Sequence, residues 1–389
     1  MKRICALILA AMLSLQLVGC GKWMDGSYYS VKPHQEANNV QSQETVEVSS
    51  YTQLYQALCN TVAVGREESV FYISGIEESQ LQAYMSIAAD SVLSTDPIGA
   101  YAVDAITYEA GTNTGRTAIA VQISYNHSRA DILRIKRVGL MDAAYEEIMR
   151  ALENCDPNVV ILVESYKKTD FVQLVQDFVD QNPDICMEMP QVSATVYPEG
   201  GTQRVIELNF TYQTSRETLR EMQNYVEPVF RAANLNVSAE EGDSTKFSRM
   251  YSFLMERNEY RLDTSITPSY SLLRHGVGDS KAFATVYAAM CRQAGLECLV
   301  VTGTRGGEPW TWNIICTDGV YYHVDLLRSE TVGKLQRLTA ADMRGYVWDY
   351  TAYPETGPAY QEELPQPTEE TVVEESTPAE VQTEPPLSE

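Results

Sequence analysis

The chain is short of positive charge. Its 389 residues hold 29 Lys and Arg against 53 Asp and Glu, a formal balance of −24. No basic stripe survives such a balance easily, which argues against nucleic acid as a partner. The same charge repels anionic lipid head groups, so side chains alone would not hold the chain to a membrane. Metal-binding patterns are missing too. None of the eight cysteines forms a CxxC pair, and the four histidines form no ligand cluster with them, so no metal and no cofactor is implied. The apolar run in MKRICALILAAMLSLQLVGC is too short and wrongly flanked for a spanning helix.

What that run offers instead is an export signal over residues 1–19, with Lys2 and Arg3 as its basic start. It ends in Leu17-Val18-Gly19-Cys20, which resembles the bacterial lipobox. The resemblance implies that Cys20 is lipidated and becomes the new N-terminus, anchored to the outer face of the cell membrane by its acyl chains. Residues 20–48 are polar and read as a tether. At the other end, residues 361–389 contain neither Lys nor Arg and are rich in Glu, Pro and Thr. Such a segment buries too little apolar surface to offset its ordering entropy, and it is expected to be a disordered spacer. Six cysteines lie between these ends: Cys59, Cys155, Cys186, Cys291, Cys298 and Cys316. Buried free thiols are the default expectation. One disulfide within the last three is the alternative that an exported location permits.

The middle of the chain repeats itself. YEAGTNTGRTAIAVQISYNHSRADI aligns with YPEGGTQRVIELNFTYQTSRETL, and Tyr125, Ser128 and Arg129 stand opposite Tyr212, Ser215 and Arg216 at a constant offset of 87 residues. Each copy shows an amphipathic helix (about 52–60; 142–153), an apolar strand (70–74; 159–164), a second helix (78–92; 169–180) and a hairpin with its turn at Gly111–Gly115 or Glu199–Gly201. AIAVQISY and VIELNFTY alternate as half-buried strands do. The expectation is a duplicated α-β-α-β-β region, residues 49–137 and 138–234, forming two three-stranded sheets covered by helices. The paired serines are expected to cap helices. His127 stands in a turn or strand end with no chemical company.

A polar boundary, NLNVSAEEGDS, precedes a second domain over residues 245–358. Three stretches in it are informative: Gly278-Asp279-Ser280-Lys281 followed by AFATVYAAMCRQAGLECLVVTG, then Trp310-Thr311-Trp312-Asn313, then Tyr321-Tyr322-His323-Val324-Asp325. Their order and spacing resemble the bacterial transglutaminase-like domain, a papain-related α+β fold, over roughly residues 245 to 355. MRGYVWDYTAYP is similar to the region after that family's last catalytic strand. The resemblance implies a cysteine nucleophile at a helix N-terminus, a histidine that moves its proton and an aspartate that orients the histidine. Those positions fall on Ser280, Trp310 and Asp325, so only the aspartate is retained.

The two replacements do not conserve the chemistry. A helix terminus can bring a thiol to a useful pKa, but a serine hydroxyl needs a general base within hydrogen-bond reach. Indole is a donor only and takes up no proton near neutrality. His275 and His323 are the candidates for a relocated base. Lys281 is the weaker one, because adjacent helix residues do not face each other, and Cys291 is a core thiol about three turns down the helix. The expectation is an exported, membrane-anchored lipoprotein with a catalytically inactive transglutaminase-like domain. Its groove, lined by Trp310, Trp312 and Asn313, would bind peptide, cell-wall material or a protein. A hydrolase using Ser280 with a relocated histidine, and a purely structural envelope protein, are the alternatives.

Overall fold

The computed structural model describes residues 46–262, 265–328 and 334–357. The export signal, Cys20, nearly all of the expected tether and the acidic tail lie outside the described residues. The chain divides into two compact units, one of residues up to 175 with 190–213, the other of 176–189 with 214 onward. Among the described residues no helix is long and apolar enough to cross a membrane.

The first unit carries the repeat, apart from the last six residues of the helix Phe171–Gln181, which belong to the second unit. Its first copy runs β1 (Val46–Val48), α1 (Tyr51–Ala63), β2 (Glu68–Ile73), α2 (Glu78–Ser94), α3 (Pro97–Ala102), β3 (Val103–Asn113) and β4 (Arg116–Tyr125). After α4 (Arg129–Arg134), the second copy runs β5 (Lys136–Leu140), α5 (Met141–Glu153), β6 (Asn158–Ser165), α6 (Phe171–Gln181), β7 (Gln191–Tyr197) and β8 (Arg204–Thr211). The sheets have matching orders, β1-β2-β4-β3 and β5-β6-β8-β7. Each is therefore four-stranded, not three-stranded as expected. The added strands, β1 and β5, pair in parallel with β2 and β6. They are only three and five residues long, too short to show a period in sequence. The six-residue helices α3 and α4 escape notice for the same reason.

The matching copies bury matching faces. In α1 the buried residues are Leu54, Ala57, Leu58, Thr61 and Val62; in α5 they are Met141, Ala144, Ile148, Ala151 and Leu152. Both sets follow the spacing of one helix face. Along β4, Val121 and Ile123 are buried between exposed Ala120, Gln122 and Ser124, the alternation of a sheet with one covered face. Phe71, Leu54, Leu58, Leu81, Met85 and Ile119 share one apolar cluster, which Leu162 and Val205 of the second copy also join. The repeated serines are caps: Ser128 accepts from Asp131 N and Ser215 from Thr218 N, each at 3.2 Å. His127 stacks flat on Tyr101 with centroids 4.1 Å apart.

The second unit contains α7 (Arg216–Leu235), α8 (Asp243–Met255), β9 (Glu259–Tyr260), α9 (Pro268–His275), β10 (Val277–Gly278), α10 (Ser280–Gln293), β11 (Cys298–Arg305), β12 (Glu308–Thr317), β13 (Val320–Val324) and β14 (Tyr346–Val347). The last four make an antiparallel sheet of order β13-β12-β11-β14. Helix α10 is buried on every side, from Ala282 without a break to Cys291, so small residues such as Ala284, Ala288 and Ala289 let its neighbours approach. The mixed α+β architecture matches the sequence expectation.

Replacing Ser128 or Ser215 by Ala should cost about 1 kcal/mol each. Phe71→Ala, at a position with no exposure, should cost roughly 3–5 kcal/mol. Urea unfolding of the three variants checks both magnitudes.

Candidate functional site

The backbone around Ser280 is set by its neighbours. Gly276 ends α9 in the left-handed region at φ 73°, with its N–H on the Leu272 carbonyl, a conformation that glycine adopts without a Cβ penalty. Val277 and Gly278 then pair with Glu259 and Tyr260. Asp279, not Ser280, is the helix cap: its Oδ1 accepts from Ala282 N at 2.8 Å. A carboxylate there satisfies an orphan N–H and suits the helix dipole. That leaves Ser280 as the first helical residue, 8% exposed. Its Oγ accepts from Thr311 N at 3.2 Å. Pairing of β12 with β13 begins only at Asn313, so the Thr311 N–H is left for the serine.

Asp325 follows directly after β13, and its side chain is 1% exposed. Oδ2 accepts from three donors: Trp310 Nε1 at 3.1 Å, Arg305 Nη1 at 3.2 Å and Tyr346 OH at 2.5 Å. Oδ1 accepts from Leu327 N at 3.0 Å. The register explains this meeting. Arg305 stands opposite Tyr346 in the β11–β14 pair, and Gly303 stands opposite Trp310 in the β11–β12 pair. Gly303 is required here, because a Cβ would come within 2.2 Å of the Val347 carbonyl, closer than any carbon contact allows. The guanidinium of Arg305 lies 5.1 Å from the Trp310 ring centroid and 5.4 Å from that of Tyr346, within cation–π range. Burial, and then the bond to Asp325, push the Tyr346 phenol well above its ordinary pKa. It therefore stays a proton donor to the carboxylate at neutral pH.

The other candidates for a base are otherwise engaged. His323 is 1% exposed and accepts at Nδ1 from Trp312 Nε1 at 3.0 Å. Burial lowers its pKa to about 4. His275 ends α9 and stands edge-on to Tyr270, centroids 5.8 Å apart. The Lys281 ammonium lies 2.9 Å from Asp180. Among the described residues no histidine hydrogen-bonds the Ser280 hydroxyl, and no group of three or more His, Cys, Asp or Glu is placed to hold a metal ion.

Of the three expected groove residues, Trp310 alone is partly exposed, and Tyr260 packs beside it with centroids 5.4 Å apart. Trp312 and Asn313 are 1% and 0% exposed, so they line no open groove. Trp312 sits in an apolar cluster with Val301, Ile314, Leu338 and Met343. Asn313 faces the other way, and its Nδ2 donates to the carbonyls of Ala284 and Leu299 at 2.9 and 3.2 Å. It thereby ties β12 to α10 and β11. The strand period accounts for the split: neighbours in β12 point to opposite faces, and both faces are covered. The space bounded by Ser280, Thr311, Asn313 and Asp325 is too tight for a water molecule. The sequence reading missed Arg305 and Tyr346. Tyr346 lies in a stretch that it singled out and Arg305 two residues beyond one, but their roles depend on the β11–β14 pairing.

Tyr346→Phe removes one donor from a buried carboxylate and should cost about 2 kcal/mol of stability, as read from urea unfolding. His323 gives a pH signature. Its folded pKa lies below the ordinary 6.5, so the unfolded chain binds more protons between those values. Stability should therefore fall as pH drops from about 6.5 towards 4, by roughly 3 kcal/mol for this group. His323→Gln should flatten that part of the stability–pH curve.

Residues 231–355 match the family model described as the transglutaminase-like superfamily. Among solved structures, the chain is similar to that of a TGase at 14% identity and a TM-score of 0.26, covering 52% of this chain and 61% of that one. A candidate cysteine protease from Cytophaga hutchinsonii is 12% identical at a TM-score of 0.25, over 41% of this chain and 70% of that one. A candidate protease from Parabacteroides distasonis is 10% identical at 0.23, over 55% and 47%. The chain thus spans less than two thirds of the length of that TGase. No curated protein matches the chain. The family match begins within α7, ahead of the polar boundary read from the sequence, and takes in Ser280, Trp310 and Asp325: residues 231–355 are a transglutaminase-like domain.

Proposed function

We propose that this chain is an exported lipoprotein, anchored to the outer face of the membrane through Cys20, whose transglutaminase-like domain is catalytically inactive and binds peptide or cell-envelope material. The observation that carries the inactive reading is the donor set on Asp325. An indole, a guanidinium and a phenol occupy the oxygen that would orient a histidine. Two of the three cannot take up a proton at any physiological pH, and the phenol is held protonated. A serine at the first turn of α10 then has no base to activate it.

The binding half of the proposal rests on the rim and not on the interior. The space beside Ser280 admits no ligand group. Tyr260, 44% exposed, and the partly exposed Trp310 and Arg305 give the domain an aromatic and cationic edge suited to stacking on a peptide or sugar. The structural reading, an envelope protein whose former cleft is filled, draws on the same closed space. Binding of peptidoglycan fragments or envelope peptides that Trp310→Ala weakens separates the two.

The unmodified protein is expected neither to hydrolyse nor to cross-link a glutamine peptide. The double variant Ser280→Cys, Trp310→His should regain amidase or transamidase activity, with at least about 100-fold over either single variant as the share of a positioned base. Ammonia release and amine incorporation are the measurements. Activity in the unmodified protein that Ser280→Ala abolishes would overturn the proposal.

A further inference from the structure

Six cysteines fall within the described residues, and all are free thiols in this structure. Two of them share a special relation. Cys291 lies near the C-terminal end of α10 with no exposure, and Cys298 opens β11 at 2% exposure. Cys298 stands opposite Ile315, on the strand parity of Val300, which stands opposite Asn313. Asn313 is the residue that reaches α10, so this is the face of the sheet that meets the helix. Between them the chain folds back on the helix end: Leu296 N, two residues before Cys298, donates to the Cys291 carbonyl at 3.0 Å. The chain between them is short, with Gly295 in the left-handed region at φ 75° turning helix into strand. Cys316, the third candidate from sequence, stands opposite Tyr321 and next to Ile315, so it points to the other face of the sheet.

We propose that Cys291 and Cys298 are the site of an intramolecular disulfide that staples the end of α10 to the start of β11. In closing it, two S–H bonds break and one S–S bond forms. Two protons leave, and two electrons reduce a partner disulfide, supplied by a dithiol oxidoreductase or an oxidised small-molecule thiol, to two thiols. The role in the cell rests on the exported location proposed above, where such oxidants are available; the competence of the pair does not. Burial holds the Cys291 thiol well above its ordinary pKa, so exchange takes place while the chain folds or opens, before the helix covers the pair. The staple would brace the frame of the degenerate site. Its helix presents Ser280 at the opposite end, and its strand carries Arg305 and pairs with the strand carrying Trp310. A closed site that no longer turns over gains from rigidity and loses nothing by it.

The sequence supplies a clean assay. Trypsin cuts after Lys281, Arg292 and Arg305, placing the two cysteines in separate peptides, AFATVYAAMCR and QAGLECLVVTGTR. The full chain is refolded in a glutathione redox buffer, alkylated under denaturing conditions and digested without reductant. The expected product is this peptide pair, joined and two hydrogens lighter than its parts, separating on reduction. Recovery of both peptides alkylated, or a cross-link that uses Cys316, would overturn the proposal. Cys316→Ala is expected to leave the joined pair intact. Reduction should lower Tm by roughly 5–10 °C, and Cys298→Ala should show the lower Tm with no response to reductant. Catalytic assays do not enter, so failure here is distinct from failure of the inactive-domain reading.

Discussion

A carboxylate with 1% of its side chain exposed must be met by donors, and much of the second unit is arranged around that requirement. An isolated buried charge costs several kcal/mol, and the cost falls only when hydrogen bonds and an opposite charge replace the lost water. Asp325 has all of these. Trp310 donates from β12, Tyr346 from β14 and Arg305 from the end of β11, so one oxygen joins three strands. Arg305 is about one third exposed, which screens its Coulomb contribution. The two neutral donors and the Leu327 amide therefore carry much of the compensation.

The same arrangement bears on the proposed loss of catalysis. With a histidine at position 310, the aspartate would orient a ring that moves protons. With a tryptophan, it anchors a ring that cannot. The indole keeps the single hydrogen bond the carboxylate needs and offers an apolar face to Arg305 and Tyr260. Packing and polar satisfaction are thus met by a ring that does not move protons. His323, the nearest histidine in sequence, is committed to Trp312 and held neutral by burial, so it does not fill the gap.

The first unit shows a different economy. Two copies of one supersecondary unit bury matching helix faces and cap the following helix with the same serine. The copies were visible because helix and strand periods, and the cap, are local properties. The strands that complete each sheet were not. β1 and β5 are stabilised by parallel pairing with a distant partner, and a three- or five-residue segment carries no period of its own.

The sequence alone determined the repeat and the transglutaminase-like domain over residues 231–355, because period, spacing and residue identity are written along the chain. It could not decide what the retained aspartate does. Arg305 and Tyr346 reach Asp325 only because β14 pairs beside β11, a contact between segments some forty residues apart. Nor could it tell that Trp312 and Asn313 are core residues rather than groove walls, since strand alternation says that two neighbours face opposite ways but not whether each face is covered. The identity of the helix cap was settled in the same way. Asp279 and Ser280 are both good caps by type, and the β9–β10 pairing fixes the backbone so that the aspartate accepts the Ala282 amide while the serine turns to β12.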